Sequence, residues 1–195
     1  MSTKWTRSMG LGISLILMGV CFSLPALGEE SPLSIKAYVF TLPLTEMQNL
    51  VKDKISQEEL NLLQGKLFTA GNLFSTATPM DLKAGDNPVP LTAEKLAALQ
   101  KDAKNLAVVF FFEITPAKAL AENMTLKHRS YASTGEGDTA KKLGAKEGAW
   151  NLPAKAKKLR CVHFRNAGQV VHPRFVFELT AGSATYNLIL EAAKK

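Results

Sequence analysis

Leu106-Ala107-Val108-Val109-Phe110-Phe111-Phe112-Glu113-Ile114 is the most apolar stretch after the first 28 residues. It does not alternate, so it reads as a central strand buried on both faces rather than as a half-wet one. Everything around it is placed relative to that strand. Upstream, Thr92 is set to cap a helix running through Lys104, with Leu96 and Leu99 turned inward. Pro88 and Pro90 read as a linker after the turn Ala84-Gly85-Asp86-Asn87, and a strand is expected near Leu73 to Leu82. Two capping boxes, Thr45-Glu46-Met47-Gln48 and Ser56-Gln57-Glu58-Glu59, open helices to about Lys54 and Ala70. The second carries an apolar stripe of Leu60, Leu63 and Leu67 and stops at Gly71. Ile35 to Leu42 reads as a strand closed by Pro43.

Downstream, Asn123 to Tyr131 is expected beside the central strand, antiparallel to it. Ala132 to Gly148 is rich in Gly, Ser, Thr and charge and reads as a long mobile loop. Lys158 to Arg165 and Gln169 to Leu179 read as a hairpin, and Ala184 to Ala192 as a last strand, with a helix as the alternative. The resulting class is α+β, with helices mainly in the N-terminal half packed on a mostly antiparallel sheet.

The chain starts with an address. Lys4 and Arg7 precede 21 uncharged residues, Ser8 to Gly28, which end in Pro25 and Ala26-Leu27-Gly28 before Glu29. That order reads as a secretory signal peptide, with cleavage expected after Gly28, leaving residues 29–195 as a single domain without a membrane span; the alternative is an uncleaved anchor, which the glycines and Pro25 weaken. The location implied is periplasmic or secreted. Cleavage takes the 24 Lys+Arg to 22 against 17 Asp+Glu, a net +5. Glu29 to Thr115 holds 8 basic and 11 acidic residues, whereas Pro116 to Lys195 holds 14 and 6, so the second half is strongly basic. Of the two cysteines only Cys161 survives cleavage, which leaves no intramolecular disulfide.

Walker loops, Gly-x-Ser-x-Gly elbows, His-Glu-x-x-His helices and Cys-x-x-Cys pairs are missing from the sequence. One constellation has ligand chemistry. Cys161 and His163 share a strand face, and a hairpin loop of two or four residues at Asn166-Ala167-Gly168-Gln169 sets His163 against His172. Those three side chains suit Zn²⁺ or copper. A three-residue loop with Gly168 in the left-handed position instead faces His172 to Val162 and dissolves the set. The apolar pattern favours the even loop, which puts Val162, Phe164, Val171, Phe175 and Phe177 on one side. Arg165 and Arg174 then crowd a cation with positive charge.

Lys155, Lys157, Lys158, Arg160 and Arg165 form a basic segment suited to an acidic surface. No aromatic series is interleaved with them, which argues against nucleic acid. Gly135-Glu136-Gly137-Asp138 lacks the ligand count of a calcium loop.

Read in order, Ile35-Lys36-Ala37-Tyr38-Val39-Phe40, Phe74-Ser75-Thr76-Ala77-Thr78-Pro79, Leu82-Lys83-Ala84-Gly85-Asp86 and Val108 to Pro116 resemble the core domain of bacterial secretins. Those proteins form the outer-membrane rings of secretion and pilus systems. The helix at Thr92 to Lys104 interrupts the pattern, and no gate or membrane-hairpin region follows. The resemblance therefore implies an orphan secretin-core-like envelope domain and not a pore. The functional expectation is an exported, non-enzymatic envelope protein with no cofactor. It would act through an envelope protein or an anionic surface polymer, with self-association as an option. The alternative is a periplasmic small-ligand or metal-binding protein using Cys161, His163 and His172.

Overall fold

The structure is a computed structural model and describes residues 32–50, 56–66, 79–134 and 141–192, all within one compact unit, Ser31–Lys195. Residues 1–28, where a signal peptide was expected, the ends of the two helices expected from the capping boxes, and Phe74 to Thr78 lie outside the described residues. The architecture is mostly β, which corrects the α+β expectation. Among the described residues nine strands form two sheets, and four short helices are spread from Leu44 to Val170.

The first sheet has the order β2-β1-β4-β7, antiparallel throughout, from Met80–Leu82, Leu33–Pro43, Leu106–Pro116 and Leu159–Asn166. The second has the order β3-β9-β8-β5-β6, from Gly85–Leu91, Ala184–Ala192, Arg174–Ala181, Met124–Ser133 and Lys142–Leu152. Here β3 runs parallel to β9 and the other pairs are antiparallel.

The strand at 106–116 is buried on both faces, as its composition requires. Phe110 and Phe112 point into the second sheet, where Phe112 stacks on Phe177 at 4.8 Å between ring centroids and Phe110 on Phe175 at 5.5 Å. Ala107, Val109 and Phe111 point the other way. They meet Met47 of α1 (Leu44–Leu50) and Leu60 and Leu63 of α2 (Gln57–Lys66). Each of the three phenylalanines is fully buried, and each contributes roughly 1.5–3 kcal/mol by leaving water. The protein is thus a sandwich of two sheets with a helical layer outside the first.

Helix α3 (Ala93–Lys101) is capped by Thr92, whose Oγ1 accepts from Lys95 N at 3.3 Å, and it buries Leu99 as its spacing predicts. The short α4 (Ala167–Val170) lies beside it, joined by Gly168 N donating to Ala103 O at 3.1 Å. Both helices carry the chain from one sheet to the other at the same end.

Four further expectations are corrected. Pro88 and Pro90 belong to β3 and not to a linker; proline is tolerated there because β3 is an edge strand with no neighbour on its outer side. Asn87 makes the turn before them, its Oδ1 accepting from Lys83 N at 2.9 Å and its Nδ2 donating to Lys83 O at 2.8 Å. Met124–Ser133 pairs with β6 and β8, not with β4. Most of the stretch read as a mobile loop is ordered strand: 132–133 end β5, and 142–148 belong to β6, with only 135–140 outside the described residues. Finally, β7 and β8 are not a hairpin, because α4 separates them into different sheets.

Candidate functional site

The edge strands β6 and β7 lie on the same side of the sandwich, where Arg165 of β7 donates to the Gly144 carbonyl of β6. Residues 141–166, which build that side, hold eight Lys+Arg and one acid, Glu147, in the sequence. The basic half of the chain therefore has a location, not merely a composition.

The inward face of β7 is polar: Cys161, His163 and Arg165 are 6%, 4% and 5% exposed. Val162 and Phe164, the apolar residues between them, pack toward the helical layer. Across the gap, β5 and β6 offer His128, Ser130 and Lys146. The Ser130 hydroxyl lies 2.8 Å from His163 Nε2, and Arg165 Nη1 donates to the same oxygen at 3.4 Å. That oxygen has one proton and two lone pairs, so beside the arginine it either donates to a bare Nε2 or accepts from Nε2–H, according to the His163 tautomer. Burial, followed by the positive groups His128, Lys146 and Arg165, lowers the His163 pKa to about 3. Burial, then the Lys146 charge, pushes His128 down as well.

Two glycines shape this face. β6 bulges between the pairs Ser130–Lys146 and Ala132–Leu143, and Gly144 takes φ +57 there. Its carbonyl accepts from Arg165 Nη2. At Gly148 an added Cβ would come 2.7 Å from His128 Cε1, because the imidazole lies over the bare backbone and against Trp150, ring centroids 4.2 Å apart. His128 and His163 are 5.3 Å apart, edge to face, with Phe177 beside both.

Between β6 and the end of β7 is a groove of about 470 Å³ lined by Gly144, Ala145, Lys146, Phe164, Arg165, Asn166 and Gln169. Lys146 Nζ sits 4.8 Å above the Phe164 ring. Burial and the Arg165 charge depress its pKa, and burial alone depresses that of Arg165.

The residues expected from sequence are distributed as follows. Cys161 is a buried free thiol whose pKa burial raises well above the usual thiol range. His163 meets Ser130 and His128, whereas His172 lies in the turn after α4. The register that would pair His163 with His172 does not form. Among the described residues no group of three His, Cys, Asp or Glu side chains could hold a metal ion. The basic segment divides three ways. Lys158 and Arg160 hold the nearly buried Glu113 at 3.3 and 3.2 Å on the helix side of β7. Lys155 and Lys157 are exposed in the connection from β6, and Arg165 is inside. Sequence reasoning missed His128, Ser130, Gly144 and Lys146. The alternation His128-x-Ser130 was the signal for the first two, hidden by assigning that strand to the wrong neighbour, and Gly144 and Lys146 fell in the stretch read as a loop.

No protein-family model matches the sequence, and no curated protein matches it. No helix among the described residues is long and apolar enough to cross a membrane.

Proposed function

We propose that the protein is an exported, non-enzymatic binding protein of the cell envelope that engages an acidic partner protein along β6. The observation that carries this is the contrast between the two edges of the second sheet. β3 is closed to further pairing by Pro88 and Pro90, while β6 is eleven residues long, free of proline and unpaired on its outer side among the described residues. Residues 142–149 are all exposed, and the surrounding side is basic. An unpaired edge accepts an extended segment through main-chain hydrogen bonds, and the charge selects an acidic one.

The test uses a defined probe, an octapeptide alternating Glu and Val. Saturable binding that weakens with salt, together with slowed amide exchange confined to β6, is the expected result. No protection of β6 amides, or equal protection by a polyphosphate chain, refutes the strand-addition reading. Fractionation and the mass of the exported chain test the location, with loss of residues 1–28 expected.

A further inference from the structure

Four arginines are described, and three of them rest on carboxylates. Arg129 chelates Glu178 at 2.8 and 3.0 Å, Arg160 meets Glu113 at 3.2 Å, and Arg174 meets Asp86 at 3.5 Å. Arg165 is the buried one, and it has no carboxylate partner among the described residues. Its two terminal nitrogens are held by neutral acceptors, the Gly144 carbonyl and Ser130 Oγ, while its buried Nε has no partner at all. Hydrogen bonds to neutral groups orient a guanidinium but leave its charge uncompensated, and an uncompensated buried charge is costly. The groups facing it do not compensate it: Lys146 from β6 is a cation, and His128 from β5 and His163 from β7 are imidazoles whose burial favours the neutral form. A chain with 17 Asp+Glu to choose from would be expected to supply one here if charge pairing were the purpose.

We propose that the groove at Arg165 and Lys146 is a binding site for a small oxyanion, the carboxylate or phosphate group of a ligand. The guanidinium is pre-oriented by Gly144 and Ser130, Lys146 adds a second charge at the rim, and the amides of Asn166 and Gln169 line the same space. The groove's volume of about 470 Å³ is that of a small-molecule site. Gly144 is required by the design, since its positive φ turns the carbonyl onto Arg165 and a Cβ there would stand 3.3 Å from Nη2. The site goes beyond the strand-addition reading and stands or falls separately from it, because its probe is a small ion read by heat, whereas strand addition is read by peptide binding and β6 amide exchange.

Isothermal titration of the whole protein with phosphate, sulfate and succinate tests the site, and the contrast between the tetrahedral ions and the dicarboxylate identifies which source of oxyanion it takes. Saturable one-site binding of at least one probe is expected, weakened at least about tenfold in Lys146→Gln and abolished in Arg165→Gln. Lys155→Gln and Lys157→Gln should leave it unchanged, since they lower general attraction without touching the groove. Binding that falls equally in all four variants, or no saturable heat with any probe, overturns the proposal. If Arg165→Gln does not fold, Lys146→Gln decides alone: full retention of affinity in that variant refutes the site.

Discussion

Replacing His163 with Gln should flatten the acid side of the stability profile. His163 has a folded pKa of about 3 against 6.5 for an unperturbed imidazole. Between those values the unfolded chain carries a proton that the folded chain refuses, so the unfolded state binds more protons and stability falls as pH drops. The contribution is complete above pH 6.5 and is lost progressively from there toward pH 3. One proton costs about 1.4 kcal/mol per pH unit, so a shift of this size removes about 2 kcal/mol by pH 5. The groups packed on the ring do nothing to offset it, because Lys146, Arg165 and His128 are all bases. Free carboxylates titrate largely below pH 5, which leaves the window from 7.5 to 5 to the histidines. Urea unfolding at half-unit steps across that window, followed by tryptophan fluorescence, measures the effect directly. His163→Gln can keep the contact with Ser130 but cannot titrate. Its stability should therefore decline by about 2 kcal/mol less than that of the wild type over the window, whatever its stability at pH 7.5. Parallel profiles, within about 0.5 kcal/mol, would refute the burial argument for His163.

Gly148→Ala should destabilise by about 1–3 kcal/mol, because the new methyl group occupies the space of the His128 ring; thermal melts should show most of the loss recovered in the double variant with His128→Ala. Phe177→Ala removes the ring that touches Phe110, Phe112, His128, Trp150 and His163, at a cost of about 3–5 kcal/mol in denaturant unfolding; a loss below 1 kcal/mol would contradict its central place between the sheets. In a chain carrying Cys21→Ser, Cys161 should resist thiol reagents until denaturant is added, since burial keeps it a thiol; rapid labelling of the native chain would refute that. Glu178→Gln, which breaks only a part-exposed pair, should shift stability by less than about 1 kcal/mol in the same unfolding assay.

What was legible in the sequence was local. The unbroken run from Leu106 to Ile114 announced a doubly covered strand, Thr92 announced a cap, and the composition of 35–42, closed by Pro43, announced β1. Sheet membership was not legible, because it depends on long-range pairing that one strand's residues do not encode. β6 was hidden for a second reason. An edge strand exposed along most of its length has no apolar face to display, and a glycine bulge interrupts its period of two. The polar lining of β7 was inverted by the same logic. Cys161, His163 and Arg165 read as the wet face, whereas the helical layer covers Val162 and Phe164 and leaves the polar set to face the other sheet. Arg165 was thus found by sequence as a basic residue and misplaced as a surface one.

The parallel pairing of β3 with β9 has a consequence for the order in which the molecule assembles. Asn87 meets Asn187 across a separation of 100 residues, and Gly85 stands opposite Tyr186. A chain made from its amino end therefore holds β3 without a partner until residues 184–192 have emerged. Contacts between segments so distant in sequence close slowly, since the intervening chain must be gathered first. The two prolines that shield β3 as an outer edge in the finished fold also shield it during that wait. They deny a donor to any strand that reaches that outer side, while the side kept for β9 retains its own donors.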